Sequence, residues 1–286
     1  MSERGGANAL IAVEVLRAAR EGNPVAVATI IAAPEDARPG AGDKLLVRQD
    51  GSTLGHFPRG LQEAVIEDAR AALTAFPRIA TQSFYYRPEG GRIHRLEARG
   101  GADAYEVMIE VTEAPATLLI VGGGHIGLSL ATMGAHLGFS VAVVDDREMY
   151  ANAERFPMAD RVMAGDVAAH LRAFPISSNT YVVLVSRGHK VDELALREVV
   201  GRGAAYVGMI GSKRRVSTVL RHLAEEGYPV ADLERVYTPI GLDIGAETPE
   251  EIAVSILAEI IMVRRGGKGG QMREGRPPIR AGARAS

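Results

Sequence analysis

The sequence predicts an α/β protein, with a Rossmann-like, doubly wound parallel sheet in its C-terminal half and a smaller α+β unit before it. Three observations predict this. From residue 117 onwards, short β-branched runs alternate with helical spacings. Two of those runs, VAVV from Val141 and YVVLV from Tyr181, are apolar throughout, as central strands covered on both faces must be. Gly122-x-Gly124-x-x-Gly127 directly follows the apolar run Leu118 to Val121 and opens a helical stretch. The predicted division is 1–113 for the α+β unit, 114–265 for the Rossmann-like unit and 266–286 for a tail.

Element by element, Leu10, Ile11, Val13, Val15 and Leu16 are interspersed with Glu14, Arg17 and Arg20, which predicts an amphipathic first helix rather than a secretory signal. Val25 to Ile31 and Lys44 to Arg48 read as strands, with Asp50-Gly51 turning the chain into a strand over Ser52 to Phe57. Leu61 to Leu73 has helical spacing; Phe84 to Arg87 and Arg92 to Leu96 flank a second hairpin turn at Gly90-Gly91. Tyr105 to Val111 is a further strand, and Pro115 marks the boundary. Beyond it, strands are predicted at Leu118 to Val121, Val141 to Val144, Arg161 to Met163, Tyr181 to Ser186, Ala205 to Ile210 and Val236 to Tyr237. The helices between them are predicted at Gly127 to Leu137, Val167 to Ala173, Val191 to Val200 and Val216 to Glu226. The final helix has the clearest start: Thr248 as N-cap, Pro249 at the first helical position and Glu251 three residues after the cap. Its stripe of Ile252, Ile256, Ile260 and Val263 beside Ala253, Leu257 and Ile261 is expected to be core. After Gly266 the glycine-rich tail, with five positive charges against one negative, is expected to be disordered.

Composition narrows the function. Of 286 residues, 33 are Lys or Arg and 35 are Asp or Glu, a net charge of −2 that offers no electrostatic footprint for nucleic acid. The absence of cysteine rules out disulfides, thiolate metal sites and a cysteine nucleophile in this chain. Residues 114–144 carry no Asp, Glu, Lys or Arg, yet their six glycines and two histidines suit a buried strand, turn and helix rather than a membrane span. The histidines show no metal-ligand spacing, and neither a Walker loop nor a nucleophile elbow is present.

The candidate site lies where the strands end. The three glycines serve the turn, the approach of backbone to a phosphate, and helix packing. Asp145, 18 residues after Gly127, stands where an acid reaches a ribose hydroxyl. His125 and Ile126 lie inside the turn. In Asp145-Asp146-Arg147 the acid suits NAD, whereas Arg147 suits the 2′-phosphate of NADP. A second anion site is predicted at Gly211-Ser212-Lys213-Arg214-Arg215, because cations at a helix N-terminus oppose its dipole unless an anion binds there. Ser186-Arg187-Gly188-His189 and the loop carrying Gly241 and Asp243 reach the same rim, and His189 and Asp243 are its titratable candidates for acid/base work. These residues alone leave open an NAD(P)-dependent oxidoreductase, a nucleotide sensor and a binding protein.

The segments LLIVGGGHIG, VVDDRE, VSRGHKVDELAL, YVGMIGSKRR and PIGLDIGAETPEEIAVSILAEI resemble the XdhC/CoxI family, accessory factors for xanthine dehydrogenase and related molybdenum hydroxylases. The resemblance covers about residues 116–265 closely. It extends more faintly through VAVATII, PGAGDKLLV, the Asp50-Gly51 turn and Glu63. It implies a cytoplasmic chaperone that binds molybdenum cofactor (molybdopterin), protects it during sulfuration and delivers it to a xanthine dehydrogenase-like hydroxylase. A cysteine desulfurase as further partner, and homodimerisation, are also implied. The pterin's phosphate would then use the two glycine-rich turns without any nicotinamide. The family's usual Gly-Gly-Cys-x-Glu reads here Arg59-Gly60-Leu61-Gln62-Glu63, so a thiolate role at that position is closed to this chain.

Overall fold

Apolar runs broken by turn glycines build two sheets in the computed structural model, which describes residues 3–21, 24–35, 37–75, 79–99, 103–187, 189–271 and 273. The first helix, α1 (Glu3–Glu21), precedes strands β1 (Val25–Ala32), β2 (Lys44–Arg48) and β3 (Thr53–Gly55). Helix α2 (Arg59–Thr74) follows, then β4 (Thr81–Tyr86), β5 (Arg92–Ile93), the short α3 (Arg95–Arg99) and β6 (Tyr105–Thr112). The six strands form an antiparallel sheet in the order β3-β2-β1-β6-β4-β5. Strand alternation divides β1: Ala26, Ala28 and Ile30 pack with α2, while Val25 and Val27 pack with Ile11 and Ala18 of α1. Gly51 takes φ 84° at the predicted hairpin turn, where the Asp50 carboxylate accepts the Ser52 N–H at 2.8 Å.

One expectation fails here for a physical reason. The strand expected over Arg92 to Leu96 pairs only at Arg92 and Ile93, after which the His94 carbonyl accepts N–H groups of Glu97 and Ala98 and the helix-forming run RLEAR forms a short helix instead. The first helix forms as expected: Ile11 and Ala18, one heptad apart, are buried and Val15 packs beside them, while Leu10, Val13 and Leu16 are each more than half exposed. The narrow contact of a single helix on a sheet accommodates only one stripe.

The second sheet is parallel. Strand β7 (Thr117–Val121), helix α4 (His125–His136), strands β8 (Ser140–Asp145) and β9 (Arg161–Ala164), helix α5 (Val167–Ala173), strand β10 (Thr180–Leu184), helix α6 (His189–Val199), strand β11 (Tyr206–Met209) and helices α7 (Lys213–Glu225), α8 (Val230–Leu233) and α9 (Pro249–Arg265) follow in sequence. The strand order β11-β10-β7-β8-β9 reverses at β7. Leu119 and Val121 face the core shared with α5, α6 and α7, whereas Leu118 and Ile120 face that of α4 and α9. Continuous apolar runs are thus needed because both faces are covered. The strand expected at Val236–Tyr237 is a single bridge: Tyr237 exchanges hydrogen bonds with Val207 and Met209, and Pro239, lacking an N–H, cannot extend it. The predicted tail disorder concerns residues that, from 274 on, lie outside the described ones.

Helix α9 begins as predicted, with a complete capping box between Thr248 and Glu251, and ends at Gly266 in the left-handed conformation (φ 67°). Its buried face is not wholly apolar. Ser255 donates to the Leu242 carbonyl at 2.6 Å, and the buried Glu259 accepts the Gly241 N–H at 3.0 Å and the Tyr206 hydroxyl at 2.5 Å. Burial, with the Glu259 carboxylate beside it, holds the Tyr206 hydroxyl protonated far above the ordinary phenol range. Gly241 (φ 96°) has no room for a Cβ against the Ser255 hydroxyl. Loop 239–242 is therefore latched to α9 by two side chains one helical turn apart. Glu259→Ala leaves a buried hydroxyl and a backbone N–H unpaired and is expected to cost about 2–4 kcal/mol in urea unfolding. Loss of the exposed cap in Thr248→Ala is expected to cost only about 1 kcal/mol.

Candidate functional site

The glycine turn occupies the point where the strand order reverses, with α4 on one face of the sheet and α6 on the other. Gly122 (φ 117°) donates to the Val144 carbonyl at 2.8 Å, and a Cβ there would lie 2.8 Å from the Ser186 nitrogen at the end of β10. A Cβ on Gly127 would overlap the Gly122 carbonyl, so helix and turn meet backbone to backbone. Gly124 differs from both: it is the N-cap of α4, supplies no side-chain cap, and has open space where a Cβ would project. The first-turn N–H groups of His125, Ile126 and Gly127 have no acceptor within the helix, which makes them donors for an anion. The His125 side chain is exposed and Ile126 is half-buried.

The acid at the end of β8 is turned into the turn itself. Asp145 is only 3% exposed. Its Oδ2 accepts the Gly123 N–H at 2.8 Å and Arg147 Nη2 at 3.2 Å, and its Oδ1 accepts the Arg147 backbone N–H and Nε, each at 3.0 Å. Arg147 in turn lies over the Tyr150 ring, 4.0 Å from its centroid. The Tyr150 carbonyl fills the place of a Gly123 Cβ, and Arg155 Nε donates to the Gly123 carbonyl at 3.0 Å. Segment 147–155 thus folds over the outer side of the turn. Asp146 is half exposed and stands 3.5 Å from Arg147 Nε.

On the other side of β7, a buried carboxylate ties the neighbouring loops together. Asp192, in the first turn of α6 and 1% exposed, accepts the Ser186 hydroxyl at 2.6 Å, the Ser186 N–H at 3.2 Å and Arg215 Nη2 at 3.2 Å. Arg215 is therefore held by protein. Ser212 caps α7 as predicted, its hydroxyl accepting the Arg215 N–H at 3.4 Å, and Gly211 is half-buried beside Val216. Lys213 and Arg214, in the first turn of α7, and Arg187, after β10, make no ion pair among the described residues. Gly188 and the side chain of His189 lie outside the described residues. Gly241 is fixed by the α9 latch, and Asp243 is exposed two residues beyond it. The consecutive strands β7, β10 and β11 thus end in the loops carrying Gly122–Gly127, Arg187 and Gly211–Arg214, while Asp145 meets the glycine turn from β8, on the other side of β7. No three His, Asp or Glu side chains gather as a metal set among the described residues, and no helix among them is long and apolar enough to cross a membrane.

Sequence reasoning missed Asp192, Glu259 and the Tyr150–Arg155 clamp. Ser255 and Glu259 left a signal, two polar residues four apart on an apolar stripe. Asp192 reads as an ordinary first-turn acid. Leu61 is wholly buried with Phe57, Val65 and Tyr86 in the first sheet's core, so in this chain the position packs.

Burial pushes the Asp145 carboxyl up, but the hydrogen bonds from the Arg147 side chain and from the Gly123 and Arg147 backbones outweigh it and hold the group below its ordinary value of 3.8. Its stabilising contribution is complete above that value and is lost as pH falls through the lower folded value. Arg147→Ala is expected to cost about 1–2 kcal/mol at neutral pH, discounted for the partly exposed arginine, and thermal melts should show the deficit shrinking below about pH 4.

Residues 118–260 match the XdhC Rossmann domain, and residues 18–84 match the XdhC and CoxI family. The chain is 32% identical over 273 residues to the uncharacterized protein YqeB of Escherichia coli, covering 92% of this chain and 48% of YqeB. It is 32% identical over 159 residues to a Bacillus subtilis protein named as a probable xanthine dehydrogenase subunit, covering 56% of this chain and 46% of that one. The chain therefore spans about half the length of these curated relatives. A Bacillus halodurans crystal structure described as a xanthine dehydrogenase shares the fold, with a TM-score of 0.50 at 19% identity over 91% of this chain and 98% of that one. With one match spanning half the chain and a second lying in its first sheet, the protein belongs to the XdhC and CoxI family.

Proposed function

We propose that this protein is an accessory factor for a xanthine dehydrogenase-type molybdenum hydroxylase, and that its crevice holds the phosphate end of molybdopterin. Family membership supports the accessory role, and the Bacillus subtilis relative, named for xanthine dehydrogenase, supports the class of client. One observation supports the ligand: the uncapped N-terminus of α4 at Gly124, open to approach, follows β7, with Arg187 after the neighbouring β10 and Lys213 and Arg214 one strand further on, after β11. An anion there meets unsatisfied N–H groups and the positive end of a helix dipole, and nearby cations supply its counter-charge.

The residues present fit the phosphate and not a thiolate bond to the metal, since the chain has no cysteine and Leu61 is buried. When bound, the cofactor carries the redox centre that the client hydroxylase uses. This chain's part is to bind, shield and hand over. Gly124 and the first turn of α4 orient the phosphate, Lys213 and Arg214 neutralise it, and the latched loop 239–242 forms a further part of the rim. Sulfuration is then assigned to a cysteine desulfurase partner, the site of action to the cytoplasm, and pairing of two copies to the assembled factor.

Purified protein titrated with molybdopterin is expected to bind it, and Lys213→Ala/Arg214→Ala to weaken binding by about tenfold or more without lowering Tm, each lost charge-assisted contact contributing about 1–2 kcal/mol. Deletion of the gene is expected to leave the host's molybdenum hydroxylase inactive while its polypeptide still accumulates. Absence of molybdopterin binding together with a fully active hydroxylase would overturn the proposal.

A further inference from the structure

A dinucleotide on a Rossmann turn needs two things: an open approach to the second glycine for its pyrophosphate, and a free carboxylate at the end of the second strand for its ribose diol. Here the first is present and the second is not. An ionised carboxylate offers about four lone-pair sites, and Asp145 receives four N–H donors from within the chain: Gly123 N, Arg147 N, Arg147 Nε and Arg147 Nη2. A ribose hydroxyl would have to displace one of them from a group that is 3% exposed. Space is closed too. The guanidinium meets the carboxylate along its N–H edge and lies over the Tyr150 ring, and the Tyr150 carbonyl and Arg155 bracket Gly123.

The same arrangement disfavours a 2′-phosphate. Arg147 Nε and Nη2 are directed at Asp145, and the neighbouring carboxylate of Asp146 adds a second negative charge 3.5 Å from Nε. A ligand phosphate arriving beside Arg147 would meet two carboxylates, whereas Gly124, the N-cap of α4, has open space where a side chain would project.

We propose that Arg147 is a specificity-determining residue: by saturating Asp145 and stacking on Tyr150 it closes the ribose subsite, so that the crevice accepts a compact ligand ending in a phosphate and rejects NAD(H) and NADP(H). This rests on the reading that the crevice takes a phosphate-bearing ligand, and it assigns the discrimination to one side chain. Breaking the pair frees an acid already placed for a ribose, so the variant gains an affinity that the native chain lacks. Loss of packing alone cannot produce such a gain.

The test titrates NADH and NADPH, followed by nicotinamide fluorescence, into the full chain and into Arg147→Ala, Arg147→Gln and Arg147→Ala/Asp145→Asn, each checked for native circular dichroism. Gln keeps part of the stem over Tyr150 and covers the case in which the Ala variant does not fold. The expected result is no saturation of the native protein by either dinucleotide up to about 1 mM, at least tenfold tighter NADH binding by the single variants, and loss of that gain in the double variant. Saturation of the native protein at tens of micromolar by either dinucleotide, or no gain in a folded single variant, would overturn it. Titrating molybdopterin in parallel separates the two proposals, because the dinucleotide gain at Arg147 does not depend on whether the native chain binds a pterin.

Discussion

A buried carboxylate has to have its lone pairs met, and the way Asp145 meets this requirement shapes the candidate site. The hydrogen bond to Gly123 pins the middle of the glycine turn, and the two from the Arg147 side chain draw segment 147–155 over that turn. What remains open is then decided: Gly124, at the start of the first turn of α4. A second buried carboxylate, Asp192, does the corresponding work across the crevice by holding the end of β10 to the start of α7 through Ser186 and Arg215. Of the five cations predicted near the rim, the two buried carboxylates hold Arg147 and Arg215, while Arg187, Lys213 and Arg214 stay without ion pairs among the described residues.

The third constraint comes from the C-terminal helix. Its latch through Ser255 and Glu259 holds the loop around Gly241, since Gly241 is fixed at its N–H and Leu242 at both backbone groups. Tyr206, stacked 4.5 Å from Tyr237, brings the edge strand into the same network. The polar groups are buried as a satisfied set, so removing one strands the others.

Much of the fold was legible because its signals are local. The glycine turn, the capped last helix and the all-apolar strands depend on backbone sterics, capping and burial within a few residues. The elements that escaped turn on competition between local choices: the chain after Ile93 leaves the open edge of β4 for a short helix started on the His94 carbonyl, and Tyr237 makes one bridge because a proline follows closely. The candidate site was legible in its residues but not in its bonds. Asp145, Arg147 and Ser212 were all expected near an anion, yet a sequence cannot show that the first two face each other across Gly123 or that Arg215 turns to Asp192. Leu61 shows the same limit: its departure from the family's cysteine is visible in sequence, its complete burial only in structure.

In the proposed loaded state a phosphate-bearing pterin sits on the α4 N-terminus while the Asp145–Arg147 pair stays closed. A crystal structure of the protein with molybdopterin tests it most directly. The predicted result is phosphate density within hydrogen-bonding distance of the Gly124–Gly127 N–H groups, with Arg147 still on Asp145. A pterin bound elsewhere, or an Arg147 displaced to admit a sugar or ring at Asp145, would contradict it.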